Sequence, residues 1–264
     1  MINSQSRPPL AIANFIAFVV VVAVNALATT IPLGGMTTGQ LSDLYPNLFV
    51  PAGLTFAIWG VIYLLLGIFV VYGIVFSLRK SEPSSSFVEK IGILFVVSCM
   101  ANVGWIFSWQ YRVLPLSLVC MLILLVSLMF MYGSLNIGRS SARGAEKFLV
   151  HLPMSIYLGW ITIATIANVS ALLVHYRWNQ WGMSQQLWAI IMISVGILLG
   201  LFVLFSRRDI FYALVIDWAV LGIFLKRSAM DGGSTRGVII TCITGLCLLS
   251  LGIVVQIIRG KVYR

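Results

Sequence analysis

The sequence predicts an all-α protein, a bundle of helices that crosses a membrane repeatedly. Three observations carry that prediction. The 264-residue chain is 60% hydrophobic and only 9% charged, whereas a soluble domain carries about 25% charged residues. Its apolar residues gather in runs long enough to cross hydrocarbon, about 17–25 residues each. Its charges fall mostly between those runs. Helices suit such runs because they satisfy their own backbone hydrogen bonds where no water is present.

Eight spans can be drawn, at about 10–33, 50–78, 88–110, 113–136, 148–175, 186–205, 209–225 and 237–258. The first has Arg7, an apolar core and Ala26-Leu27-Ala28, features shared with a secretory signal. Its run is longer than a signal core, so a retained helix is expected. The loop at 34–49 contains Gly34-Gly35, Thr37-Thr38 and Pro46, which predict an ordered, non-helical cap. The second span exceeds one bilayer and should tilt or protrude. Trp178 and Trp181 follow the fifth span, where interfacial anchors belong. The seventh is short, contains Asp217, and is joined to the sixth only by Ser206, Arg207 and Arg208. A tight hairpin or a re-entrant pair would explain that join. Gly196 and Gly200 in the sixth span, and Gly245, Ser250 and Gly252 in the eighth, are packing surfaces, either within the chain or between two copies in a homodimer.

The net charge of +10 would suggest nucleic acid in a soluble protein. Here no basic stripe or groove-reading motif exists, so nucleic acid is not expected as a partner. The lipid bilayer is, and the basic residues mark its cytoplasmic side. With both termini inside, twelve Lys and Arg lie on that face and five (Arg112, Arg177, Lys226, Arg227, Arg236) lie on the other. A plasma or inner membrane is the expected location. Cys99, Cys120, Cys242 and Cys247 all fall in apolar runs and read as small apolar side chains rather than disulfides. With only His151 and His175 in the chain, no metal site is expected. No nucleophile–base pair or paired carboxylate occurs at helical spacing, so no catalytic residues are assigned and no enzyme is expected.

The positions most informative for function are aromatic and amide residues on helical stripes. Pro51, Trp59, Tyr63 and Gly67 share one stripe of the second span. Asn102, Trp105 and Trp109 mark the third, and Tyr157, Trp160, Ala164 and Asn168 the fifth. Offsets of three, four, seven and eight put each set on one face. At 1.5 Å per residue, Asn25, Trp59, Asn102 and Asn168 fall roughly 10–14 Å below the outer surface, with Tyr63 and Trp160 at roughly 20 Å. An unpaired amide is costly in hydrocarbon, so these groups should face the bundle interior. They would either tie helices together or line an apolar pocket with a few directing polar groups.

The run from Pro51 through Trp59 and Tyr63 to Gly67 resembles the second-helix signature of the TspO/MBR family. That family comprises the tryptophan-rich sensory proteins and the translocator protein, or peripheral benzodiazepine receptor. Asn102-Val-Gly-Trp105 is similar to its third-helix Asn-x-x-Trp. Tyr157-Leu-Gly-Trp160, continuing to Ala164 and Asn168, is similar to its fifth helix. The resemblance covers about residues 10–177. It implies a five-helix core at 1–177 and a three-helix membrane extension at 178–264. It implies ligand contacts at Trp59, Tyr63, Asn102, Trp105, Tyr157, Trp160, Ala164 and Asn168. It also implies a hydrophobic small-molecule ligand of the tetrapyrrole class, haem or protoporphyrin, with no cofactor required. The chain departs from the pattern in having one proline, Pro51, where the family has a pair, and Ile156 rather than Pro before Tyr157. Tyr176 is followed directly by Arg177, so the sterol-contact pattern is not met.

Asp217 is a carboxylate near the middle of a span, a candidate proton or ion site by default. A second reading is therefore a proton-coupled transporter of a small amphipathic solute, against which stand the lack of paired broken helices and the lack of a second buried carboxylate. A retinal protein is excluded, since every lysine lies at a helix end or in a loop.

Overall fold

The computed structural model describes residues 7–31, 33–78, 87–140, 142, 144–230 and 235–259. Arg79, Lys80, Arg143, Lys261 and Arg264 of the charge count, and the side chain of Arg7, lie outside the described residues. The described chain is all-helical. The helices are α1 (Arg7–Thr30), α2 (Thr38–Asp43), α3 (Ile58–Ser77), α4 (Phe87–Ile91), α5 (Leu94–Gln110), α6 (Leu114–Ser134), α7 (Leu152–His175), α8 (Gln185–Arg207), α9 (Ile210–Ser228) and α10 (Arg236–Ile258).

Among the described residues six segments are long and apolar enough to cross a membrane: Pro8–Thr30, Gly53–Ser77, Leu114–Ser134, Lys147–His175, Gln185–Arg207 and Arg236–Ile258. The protein is a polytopic membrane bundle. Two more long helices stand among them. α5 has 17 residues, and α9 has 19, with Asp217, Lys226 and Arg227 along it. Large apolar side chains such as Leu64, Phe130, Leu198, Phe202 and Ile240 are exposed, as expected of a surface solvated by lipid.

Several boundaries differ from the sequence reading for identifiable reasons. The third span breaks into α4 and α5 at Gly92, which has φ 55°. The second begins as a 3-10 turn, Gly53–Ala57, and becomes α-helical only at Ile58. The cap at 34–49 is partly helical, correcting the expectation of a non-helical loop. Thr37 and Gln40 form a reciprocal capping box that starts α2. α7 is led by a π-helical turn, Lys147–His151. α8 and α9 make a tight hairpin: Arg208 takes the left-handed conformation at φ 58°, and the Asp209 carboxylate accepts from the amides of Phe211 and Tyr212.

The packing order positions the site. α1 rests on α3 and α5, α5 on α6, α6 on α7, and α7 returns to α3. α8, α9 and α10 pack on one another and join this ring mainly through α9 against α7. Glycines allow the close approaches within the C-terminal helices. A Cβ on Gly245 would lie 2.2 Å from Ile197, and one on Gly200 would lie 2.9 Å from Leu249.

The connecting segments gather at two ends. At one end Tyr45 packs on Trp109 and His175, and Lys226 pairs with Asp43. At the other, Arg139 donates to the Ser206 carbonyl and Arg207 to the Asn136 side chain.

Candidate ligand-binding site

The site is built around Trp59 on the first turn of α3. Its ring stacks on Tyr63 at 5.5 Å and on Trp105 of α5 at 5.8 Å. Tyr157 and Trp160 of α7 meet it edge-on at 6.3 and 6.1 Å. The Trp160 ring in turn takes the edge of Phe56 at 6.0 Å. Helical spacing explains the convergence: Trp59 and Tyr63 are one turn apart, as are Trp160 and Ala164.

Of the cavities that adjoin this cluster, two reach Trp59. One, about 40 Å³, is lined by Thr38 and Ser42 of α2, Pro51, Phe56, Trp59, Trp105, Trp109, Trp160, Ile163, Ala164, Ala167 and Asn168. The other, about 730 Å³, is a half-open groove between α1 and α3, reaching from Val22 and Asn25 past Thr37–Gln40 to Trp59, Tyr63 and Trp105. Thr38, Phe56, Trp59 and Trp105 belong to both walls. The smaller space is walled largely by the aromatic rings, and the larger one has room for a sizeable molecule.

The structure divides the sequence-derived residues into two groups. Trp59, Trp105, Trp160, Ala164 and Asn168 line the small cavity, and Tyr63 lines the groove. Asn102 and Tyr157 line neither. Asn102 is fully buried and links three helices: it accepts from Asn25 Nδ2 of α1 at 2.8 Å and donates through its own Nδ2 to the Tyr157 hydroxyl of α7 at 3.0 Å. Asn168 is tied to α6, donating to Ser117 Oγ at 2.8 Å.

Three buried polar atoms around the small cavity have no hydrogen-bond partner: Trp105 Nε1, Trp160 Nε1 and Asn168 Oδ1. Trp109 Nε1, by contrast, donates to the Thr38 carbonyl of the cap. Two donors and one acceptor are thus left unused on an otherwise apolar wall, a costly arrangement unless another group meets them.

The covering segment, residues 38–57, is held from behind by α9. Ala52 N donates to the Gly222 carbonyl at 2.9 Å, and Trp218 Nε1 donates to the Thr55 carbonyl at 3.0 Å. Arg227 Nη2 donates to the Val50 carbonyl at 3.3 Å. Sequence reasoning missed this role, because no local pattern connects residues more than 160 positions apart. Phe56 and Trp109 were also unassigned, although Trp109 shares the stripe of Trp105.

Asp217 lies on α9 away from these contacts. Its Oδ2 accepts from Ser250 Oγ of α10 at 3.3 Å, and its Oδ1 is buried without a partner. A second buried carboxylate, Asp209, corrects the expectation that the chain has none. Asp209 is 0% exposed, and beyond capping α9 it accepts from the Tyr132 and Ser155 hydroxyls at 2.8 and 2.6 Å. An acidic residue just before an apolar run was the available signal. Among the described residues no His, Cys, Asp and Glu cluster could hold a metal ion, and the four cysteines are free, with Cys247 exposed.

Comparison with known proteins agrees with the motifs and extends their reach. The profile of the TSPO-like protein family matches residues 11–255, through the C-terminal helices as well as the first five long ones. No curated protein and no solved structure is matched. By the extent of that match, the chain belongs to the TSPO-like family of integral membrane proteins.

Proposed function

We propose that this protein binds a flat hydrophobic ligand carrying both hydrogen-bond acceptors and donors, a tetrapyrrole such as protoporphyrin or haem, in order to sense, sequester or move it. The carrying observation is the set of unpaired atoms Trp105 Nε1, Trp160 Nε1 and Asn168 Oδ1 on an aromatic wall. The two indole donors suit a carboxylate or carbonyl oxygen, and the amide oxygen suits the O–H of a protonated propionic acid side chain. The broad faces of Trp59 and Trp105 suit a planar π system. A cavity of about 40 Å³ holds no such molecule as it stands. The groove of about 730 Å³ is the route by which a ligand reaches the shared wall, and the rings of that wall turn aside to admit it.

In this reading residues 1–177 form the binding part. Residues 178–264 act as an extension that steadies the cover through α9. The orientation is with both termini cytoplasmic, so the aromatic site opens in the outward half of the membrane. The test is binding of the purified chain to a panel of porphyrins and sterols. Saturable binding of porphyrins over sterols supports the proposal; no saturable porphyrin binding refutes it.

A second reading rests on Asp217, whose Oδ1 is buried and unpartnered. A carboxylate inside a span is a proton-relay candidate. Proteoliposome uptake with and without a proton gradient separates the readings. Gradient-driven movement that is lost in Asp217→Asn would establish a transporter; normal movement by that variant removes the relay.

A further inference from the structure

On the reverse side of the covering segment lies a third cavity, about 330 Å³, between residues 42–50 and the last turn of α9. Its lining includes Asp43, Asn47, Gln185, Lys226 and Arg227. Arg227 is only 4% exposed. Its one hydrogen bond is the 3.3 Å contact from Nη2 to the Val50 carbonyl, and Nε is buried with no partner. The carboxylate of Asp43 is close enough to favour the charged guanidinium, but its hydrogen bond is with Lys226, and among the described residues no carboxylate is hydrogen-bonded to Arg227. A cation in the last turn of a helix is favoured by the helix dipole. That explains a charge at this position, but not a buried guanidinium with an unused donor edge.

We infer that this recess is a binding site for a small oxyanion, a phosphate or carboxylate group, taken by the Nε–Nη edge of Arg227 with Lys226 alongside. The guanidinium fork matches two oxygens of such a group, which a point charge does not. The recess has a net charge of +1 from Lys226, Arg227 and Asp43, and its amide side chains Asn47 and Gln185 can complete the donor set. Ser42 lines both this recess and the small aromatic cavity, so the oxyanion sits directly behind the cover of the ligand site. The inference is independent of what the aromatic site binds.

The same phosphate chemistry comes from two sources, an anionic lipid headgroup or a free anion in water. Full-length protein in phosphatidylcholine nanodiscs, titrated with inorganic phosphate, reads the second. Nanodiscs containing phosphatidylglycerol, without added phosphate, read the first. A saturable rise in unfolding temperature is expected in at least one arm. Arg227→Gln should abolish it, whereas Arg177→Gln, at an exposed position, should leave it intact. If Arg227→Gln does not fold, Arg227→Lys keeps the charge without the fork and should weaken the apparent affinity about tenfold. No response in either arm overturns the inference, as does an unchanged response in Arg227→Gln or Arg227→Lys.

Discussion

The grip of α9 on the cover makes Gly222 a sensitive position. A Cβ built there would lie 2.0 Å from Thr55 Oγ1, 2.8 Å from its Cγ2 and 2.9 Å from its Cβ. Ordinary contact begins at 3.4 Å, so Gly222→Ala must push the two segments apart or turn Thr55. Thr55 is 2% exposed and has little space to turn into. Moving the segments stretches the 2.9 Å bond from Ala52 N to the Gly222 carbonyl. Overpacking of this kind costs about 1–3 kcal/mol. Helix propensity favours Ala over Gly by about 1 kcal/mol, so the net loss should be about 0–2 kcal/mol. The diagnostic quantity is the coupling. Thr55→Ala removes the two closest atoms, so the double variant should recover most of the loss, giving an interaction energy of about 1 kcal/mol or more. Unfolding of the four proteins in nanodiscs measures it. Additive effects, or Gly222→Ala simply stabilising the chain, would refute the close contact.

Three further outcomes are expected. Asn102→Leu removes the bonds from Asn25 and to Tyr157 and should cost about 1–2 kcal/mol; adding Asn25→Leu should then cost less than it does alone, as unfolding of the single and double variants will show. Asp209→Ala deletes a helix cap and the acceptor of two buried hydroxyls, so unfolding assays should report a loss of about 3 kcal/mol, several times that of a surface substitution. Single cysteines at the exposed positions Gln40 and Asn179 should react with an impermeant reagent from outside, while one at Ala145 should react only after permeabilisation; the reverse pattern would invert the orientation.

The helical bundle was legible because apolar runs and polar joints alternate along most of the chain. The short join at Ser206–Arg208 already implied the α8–α9 hairpin. The Thr37–Gln40 capping box was present in the sequence but overshadowed by its flanking glycines, so α2 was missed. Gly92 gave a local hint of the break before α5, which the continuous hydrophobicity on both sides concealed. The aromatic stripes could be read one helix at a time, since each has a 3.6-residue period. Whether a given stripe residue lines a cavity or ties helices depends on its partner across the bundle. Asn102 and Asn168 look alike in sequence, yet one spends both ends of its amide on α1 and α7 while the other keeps Oδ1 unpaired. The contact of α9 with residues 50–55 depends wholly on tertiary packing.

The most direct test is equilibrium binding of protoporphyrin to the full chain in nanodiscs, read from the porphyrin's own absorbance so that removing tryptophans does not alter the signal. The wild-type protein should bind saturably. Trp59→Leu and Trp160→Leu should each weaken binding by about 0.5–1.5 kcal/mol, a two- to thirteenfold change, through loss of ring contact. Unchanged affinity in a folded Trp59→Leu/Trp160→Leu double variant would contradict the aromatic wall as the binding surface.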